Sequence, residues 1–155
     1  MSPVDEAPWM LFAHAERGVR PFAAGASNPR IVGYHAGTTI EGYDDKVNWC
    51  SSFVQWCLGR AGIAGSGSAL ARSWLDWGAP LDSPRPGCVA VLWREDPASW
   101  KGHVAFFVRL QGDEVVLLGG NQEGTVCELA YPAASVLGWR WPAGWSSCHP
   151  TSPDG

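Results

Sequence analysis

Asn48-Trp49-Cys50-Ser51-Ser52-Phe53-Val54-Gln55-Trp56-Cys57-Leu58-Gly59-Arg60-Ala61-Gly62 carries the clearest periodicity in the chain. Cys50, Phe53, Val54, Cys57, Leu58 and Ala61 fall at i, i+3, i+4, i+7, i+8 and i+11, the spacing of an amphipathic helix with one apolar face toward a core. Asn48 is placed as its N-cap and Gly62 as the C′ residue that ends it. Upstream, Pro8 to Gly18 allows a short helix stopped by Gly18 and Pro21, and Val19 to Val47, with turn-formers around a short Ile31-Val32 run, reads as loop with a small helical turn. Downstream of Gly65-Ser66-Gly67, the segment Ser68–Trp77 allows a second helix lined by Ala69, Leu70, Ser73, Trp74 and Trp77, which Gly78 and Pro80 end.

Beyond Pro84-Arg85-Pro86-Gly87 the pattern changes to short β-rich runs at Cys88–Trp93, His103–Leu110, Glu114–Leu118, Thr125–Leu129 and Leu137–Trp141. The connections Gln111-Gly112-Asp113 and Asn121-Gln122-Glu123-Gly124 suit antiparallel hairpins. Helices first and about five strands second predict an α+β domain over residues 8–142, with an extension at 1–7 and a loose Ser/Pro/Gly-rich tail at 143–155.

With 155 residues the chain has the length of one domain, and 46% hydrophobic against 17% charged residues excludes a charge-driven disordered segment. Eleven basic against fifteen acidic residues leave a net charge of −4, which argues against nucleic acid as a partner. The longest apolar runs, such as Val104–Val108, are far shorter than the ~20 residues that cross a bilayer. The first residues lack the basic and apolar regions of a Sec signal, so synthesis and initial residence in a cytoplasm are expected. Ten tryptophans are many for this length; they offer flat faces to sugars and peptides as readily as they fill a core.

The chemistry converges on three positions. Cys50 opens the amphipathic helix, where free backbone N–H groups and the positive dipole end favour a thiolate, and its own N–H is available to an oxyanion. His103 starts a buried strand and can serve as general base. Asn121 ends the next strand, where its side-chain carbonyl can fix the imidazole tautomer; Gln122 is the alternative orienter. Cys57 lies ~10.5 Å from Cys50 along the helix, too far for a disulfide, and it reads with Cys88 and Cys127 as a packed thiol. Cys148 beside His149 lacks the further ligands of a zinc site, so no metal and no cofactor is expected. His14 reads as an ordinary helix residue, whereas His35, two residues from Gly37, is placed to line the approach to the nucleophile.

Trp49-Cys50-Ser51-Ser52-Phe53-Val54, Gly102-His103-Val104-Ala105-Phe106 and Leu118-Gly119-Gly120-Asn121-Gln122 together resemble the NlpC-type and CHAP-type cell-wall hydrolases of the papain-like superfamily. Ser27–Ile31, Gly67–Leu75 and Leu137–Trp141 extend the likeness over residues 8–142, and the pattern is similar to a compact subfamily of phage lysins and secreted bacterial effectors. The resemblance implies a Cys50-His103-Asn121 enzyme that cleaves amide bonds of peptidoglycan stem peptides through an acyl-enzyme. It also implies Trp49, Ser51, Trp74, His35 and Gln122 along the substrate cleft. A monomer is expected, acting in a periplasm or cell wall after type VI-like secretion, holin release or lysis, with a cognate immunity protein if it is an effector. Two positions depart from the family pattern: Trp49 replaces the acidic residue that commonly precedes the nucleophile, and Pro86-Gly87-Cys88 replaces Pro-Gly-Asp. The competing readings are a non-catalytic Trp-rich wall-binding module and a papain-like acyltransferase or transglutaminase with an intracellular target.

Overall fold

The computed structural model describes residues 7–23, 26–39 and 48–145. Helices α1 (Trp9–Ala15), α2 (Pro29–Tyr34) and α3 (Cys50–Arg60) precede a 3₁₀ helix over Ala71–Asp76. Six strands follow: β1 (Ala79–Leu81), β2 (Val89–Trp93), β3 (Gly102–Gln111), β4 (Glu114–Gln122), β5 (Thr125–Pro132) and β6 (Val136–Trp141). They form one antiparallel sheet in the order β1-β6-β2-β3-β4-β5, so the expected α+β architecture holds with one strand more than expected. The added strand is β1, whose Pro80 lies opposite Arg140 at the sheet edge, a place where a missing N–H is tolerated.

Helix α3 ends as its sequence demands. Gly62 takes φ +81°, its N–H reaches Gly59 O (3.0 Å), and the N–H of Ile63 reaches Leu58 O (2.9 Å), closing a Schellman motif. Its start differs from expectation by one residue. Trp49 is the cap residue, and Asn48 Oδ1 accepts the Cys50 N–H at 3.2 Å from one position further out. The first turn is buried on every side, because α2, the 3₁₀ helix and the sheet all pack around it. In α2, Asn28 Oδ1 accepts the Arg30 N–H (2.9 Å) and Pro29 occupies the first turn, where its lacking N–H costs nothing. Glu16, buried after α1, accepts from Tyr34 Oη (2.6 Å) and pairs with Arg30 Nε (3.0 Å), tying α1 to α2.

The segment expected as a second α-helix is the 3₁₀ helix. Serine hydroxyls compete with helical hydrogen bonding there: Ser68 Oγ accepts the Leu70 N–H, and Ser73 Oγ donates to Leu70 O. Ala71 and Trp74, three residues apart, are its buried pair, whereas Leu70 is exposed. Strand β4 runs on through the residues expected as a loop. The turn to β5 is only Glu123-Gly124, both at positive φ (52° and 79°), as in a type I′ hairpin. Between Gly119 and Gln122 a bulge puts one extra residue into β4, and Asn121 within it takes φ +57°.

Trp9, Trp49 and Trp74 are fully buried, and Trp100 is the only one of the ten tryptophans that is largely exposed. Of the two uses the sequence left open for its tryptophans, the structure shows mainly the core one. Trp145, placed by the sequence in the tail, packs its ring 5.1 Å from that of Trp9, and Ala7 of the expected extension is buried beside Gly87. The remaining residues of both terminal segments, including Cys148 and His149, lie outside the described residues. Among the described residues no helix is long and apolar enough to cross a membrane.

Gly120 sets how closely α3 approaches the sheet. A Cβ there would lie 2.7 Å from Phe53 Cβ and 2.8 Å from the Trp49 ring. Gly120→Ala is expected to cost about 1–3 kcal/mol through overpacking, visible as a lower urea midpoint with an unchanged slope.

Candidate active site

Cys50 is the first residue of α3 and His103 the second of β3, opposite Leu92 of β2. Both are buried, and their side chains share a hydrogen bond. The third partner of this pair is Gln122: its Oε1 lies 2.9 Å from His103 Nε2. Gln122 Nε2 donates to the backbone carbonyls of Leu117 (3.1 Å) and Cys127 (2.6 Å), and this fixes which end of the amide faces the imidazole. With an acceptor against it, Nε2 carries the proton, leaving Nδ1 to face the thiol as the base. The Tyr131 ring stacks on the imidazole, with centroids 5.3 Å apart and planes at 29°. Tyr131 pairs with Val115 at the far end of β4, so the strand register alone gives no sign of this contact.

Asn121 does not take the orienting position. The bulge turns its side chain to the start of α3, where Nδ2 donates to Asn48 Oδ1 at 3.1 Å. Asn48 Oδ1 thus accepts from Asn121 and from the Cys50 N–H, so that N–H, expected free for an oxyanion, is engaged. The other expected cleft residues lie under the site. Trp74 Nε1 donates to Ser51 Oγ (2.8 Å), which donates to Ser68 O (2.6 Å), while His35 Nδ1 and Ser52 Oγ are 2.7 Å apart. Trp49, Ser51, Trp74 and His35 are all buried, so they brace α3 and offer no surface to a ligand.

Burial by itself pushes the Cys50 thiol up. The charge of His103, the hydrogen bond with it, the Val104 N–H and the charge of Arg94 outweigh that and hold Cys50 below its ordinary value. His103 is the mirror image: burial lowers it, but the Cys50 charge and the hydrogen bonds with Cys50 and Gln122 carry it above the ordinary imidazole range. The pair therefore favours thiolate and imidazolium between the two titrations. Burial raises the other described thiols: Cys57 well up, Cys88 to about 12, and Cys127 less strongly. Among the described residues no three His, Cys, Asp or Glu side chains gather as metal ligands.

A profile of the CHAP domain matches residues 42–121, more than half of the chain, and these residues hold the cysteine, the histidine and the bulge. The chain belongs to the CHAP family. This CHAP domain also shares its fold with the crystal structure of a lipoprotein-like protein of the NLP/P60 family from Staphylococcus aureus subsp. aureus Mu50. The two are 15% identical, with a TM-score of 0.51, over 93% of this chain and 43% of that one. The papain-like α+β fold expected from the sequence is thereby shown. No curated protein sequence matches the chain.

The structure thus brings together Cys50, His103 and Gln122, the alternative orienter of the sequence reading, with Asn48 at the helix start and with Tyr131, to which nothing in the sequence pointed. Gln122→Ala should slow Cys50-dependent turnover by roughly ten- to a hundredfold, the worth of one charge-assisted hydrogen bond. It should also raise the pH at which iodoacetamide alkylates Cys50. Asn121→Gly, which accepts the left-handed backbone, should leave that alkylation profile in place. Tyr131→Phe keeps the ring that faces the imidazolium and should keep the alkaline limit of turnover. In Tyr131→Leu the ring's attraction for the cation is lost, and that limit should move to lower pH.

Proposed function

We propose that this CHAP domain hydrolyses amide bonds in the stem peptides of peptidoglycan, with Cys50 as nucleophile, His103 as general base and acid, and Gln122 as the residue that orients the imidazole. The observation that carries this reading is the Cys50–His103–Gln122 alignment, in which the one depressed thiol of the described residues faces the one raised imidazole.

The thiolate attacks the carbonyl carbon of the scissile amide, and the positive end of α3 favours both the thiolate and the oxyanion that forms. Collapse breaks the C–N bond as the imidazolium gives its proton to the departing amine, leaving a thioester on Cys50. Water then attacks the thioester carbonyl while the neutral imidazole takes its proton. Cleavage of the C–S bond releases the carboxylic acid and restores thiolate and imidazolium. Throughout, Gln122 Oε1 holds the Nε2–H, so the same nitrogen, Nδ1, serves in both half-reactions. Activity requires Cys50 ionised and His103 protonated, so it should rise as pH passes the lowered thiol value and fall as pH passes the raised imidazole value.

Peptidoglycan lies outside the cytoplasmic membrane, so the proposed setting is a periplasm or wall reached by secretion or lysis. There the chain acts as an antibacterial effector or a phage-type lysin. Trp49 in place of an acidic residue before the nucleophile supports cleavage within the peptide over recognition of a free amino terminus, because the buried indole offers no anion to an amine. Purified peptidoglycan treated with the protein should release muropeptides of defined mass. Cys50→Ala should abolish that release, leaving the circular dichroism spectrum unchanged. Joining of stem peptides to added amines in place of hydrolysis would make the acyl-enzyme reading a transferase one.

A further inference from the structure

The connection from β2 to β3, residues 94–101, delivers His103 to the site and is braced from outside it. Arg72 of the 3₁₀ helix donates to the carbonyls of Lys101 (2.7 Å), Pro97 (2.8 Å) and Asp96 (3.1 Å). Within the connection the Asp96 N–H reaches Arg94 O (2.7 Å) and Asp96 Oδ1 accepts the Ala98 N–H (2.8 Å). Glu95 is held at φ +69°, and its carboxylate is spent on Lys101 Nζ at 3.1 Å.

Arg94 stands beside this ion pair and has no part in it. Its side chain is exposed and makes no hydrogen bond or ion pair among the described residues. Leu92 lies opposite His103 and Trp93 opposite Gly102. Arg94 is the first residue beyond the end of β2, and the alternation of that strand, carried one residue further, turns it to the His103 side, one diagonal step away. Diagonal neighbours of that kind are about 7–8 Å apart, a distance an arginine side chain spans. Around the Cys50–His103 pair, β4 contributes the neutral Gln122, β5 the neutral Tyr131 and β3 a backbone N–H. Among the described residues Arg94 is the only charged side chain outside the pair that acts on both members.

The Arg94 charge disfavours the charged imidazole, against the pull of Cys50 and Gln122, and among the described residues no carboxylate pairs with Arg94 to neutralise it. An arriving anion would. We propose that Arg94 is the specificity-determining residue of the site and receives a carboxylate on the substrate residue next to the scissile amide. This rests on the amide-hydrolase reading above. Bonds flanked by a free carboxylate are then cleaved in preference to the same bonds flanked by a carboxamide, and the gain enters through KM.

Two measurements test it. The first needs no substrate: the rates at which iodoacetate and iodoacetamide alkylate Cys50 differ in charge alone. Their ratio should fall about tenfold in Arg94→Gln and stay near the wild-type value in Arg94→Lys. A ratio unchanged in Arg94→Gln overturns the proposal. The second compares synthetic stem peptides that carry either a carboxylate or a carboxamide beside the cleaved bond. Wild type should prefer the carboxylate by about tenfold or more in kcat/KM, and Arg94→Gln should lose the preference with little change in kcat. Equal cleavage of both peptides by wild type overturns the proposal even if the alkylation ratio falls. A fall in the ratio with no cleavage of any stem peptide supports the anion site and overturns the peptidoglycan reading.

Discussion

Both hydrogens of the Gln122 amide are committed to backbone carbonyls, one on β4 and one on β5, and the rest of the site follows from that commitment. A primary amide has two ends, and only when the donor end is occupied must the acceptor end face the imidazole. The protonated nitrogen of His103 is thereby settled before any ligand arrives, and with it the nitrogen that meets the thiol. Gly119 makes the arrangement sterically possible, because a Cβ at that position would lie 2.8 Å from Gln122 Oε1 and 2.6 Å from Ala105 Cβ. The adjacent Gly120 faces the other way and admits Trp49 and Phe53 of the α3 region. Two neighbouring glycines thus bring the orienting amide and the nucleophile's helix to opposite faces of one strand.

The bulge after these glycines explains why Gln122 and not Asn121 orients the ring. In an unbroken strand successive side chains alternate faces, and inserting one residue exchanges which of two neighbours points at His103. Asn121 is a residue type that accepts the left-handed backbone required at the inserted position. Its side chain secures Asn48, and Asn48 in turn secures the first N–H of α3. A small irregularity in β4 therefore links the strand that positions the base to the helix that presents the nucleophile.

Much of this was legible in the sequence where one local rule dominated. The i, i+3, i+4 pattern from Cys50 to Ala61 and the Gly62 stop located α3, and alternating or continuous β-branched runs located five of the six strands. Cys50 and His103 stood out because a helix start and a strand start are places that expose reactive atoms. What was not legible depended on geometry between elements. The order Asn121-Gln122 does not reveal a bulge, and without it the wrong neighbour is the natural choice. Tyr131 leaves no trace at all, since it is distant from His103 in sequence and in strand register and meets it only in three dimensions. The buried Ser51 and His35 were assigned to a cleft because the resemblance and their nearness to the nucleophile along the chain placed them there. Here each finds a partner beneath the helix instead.

Trp100 stands apart from the nine other indoles, with 70% of its surface open to solvent, and it sits in the braced connection that carries Arg94 and ends at His103. A small diffusing quencher such as acrylamide collides with exposed indoles far more readily than with sequestered ones, so the quenchable part of the emission comes largely from this one side chain. The domain is thus built with an optical probe on the segment that borders its reactive sulfur. Occupation of that border can be followed in solution by shielding of a single ring, without any label.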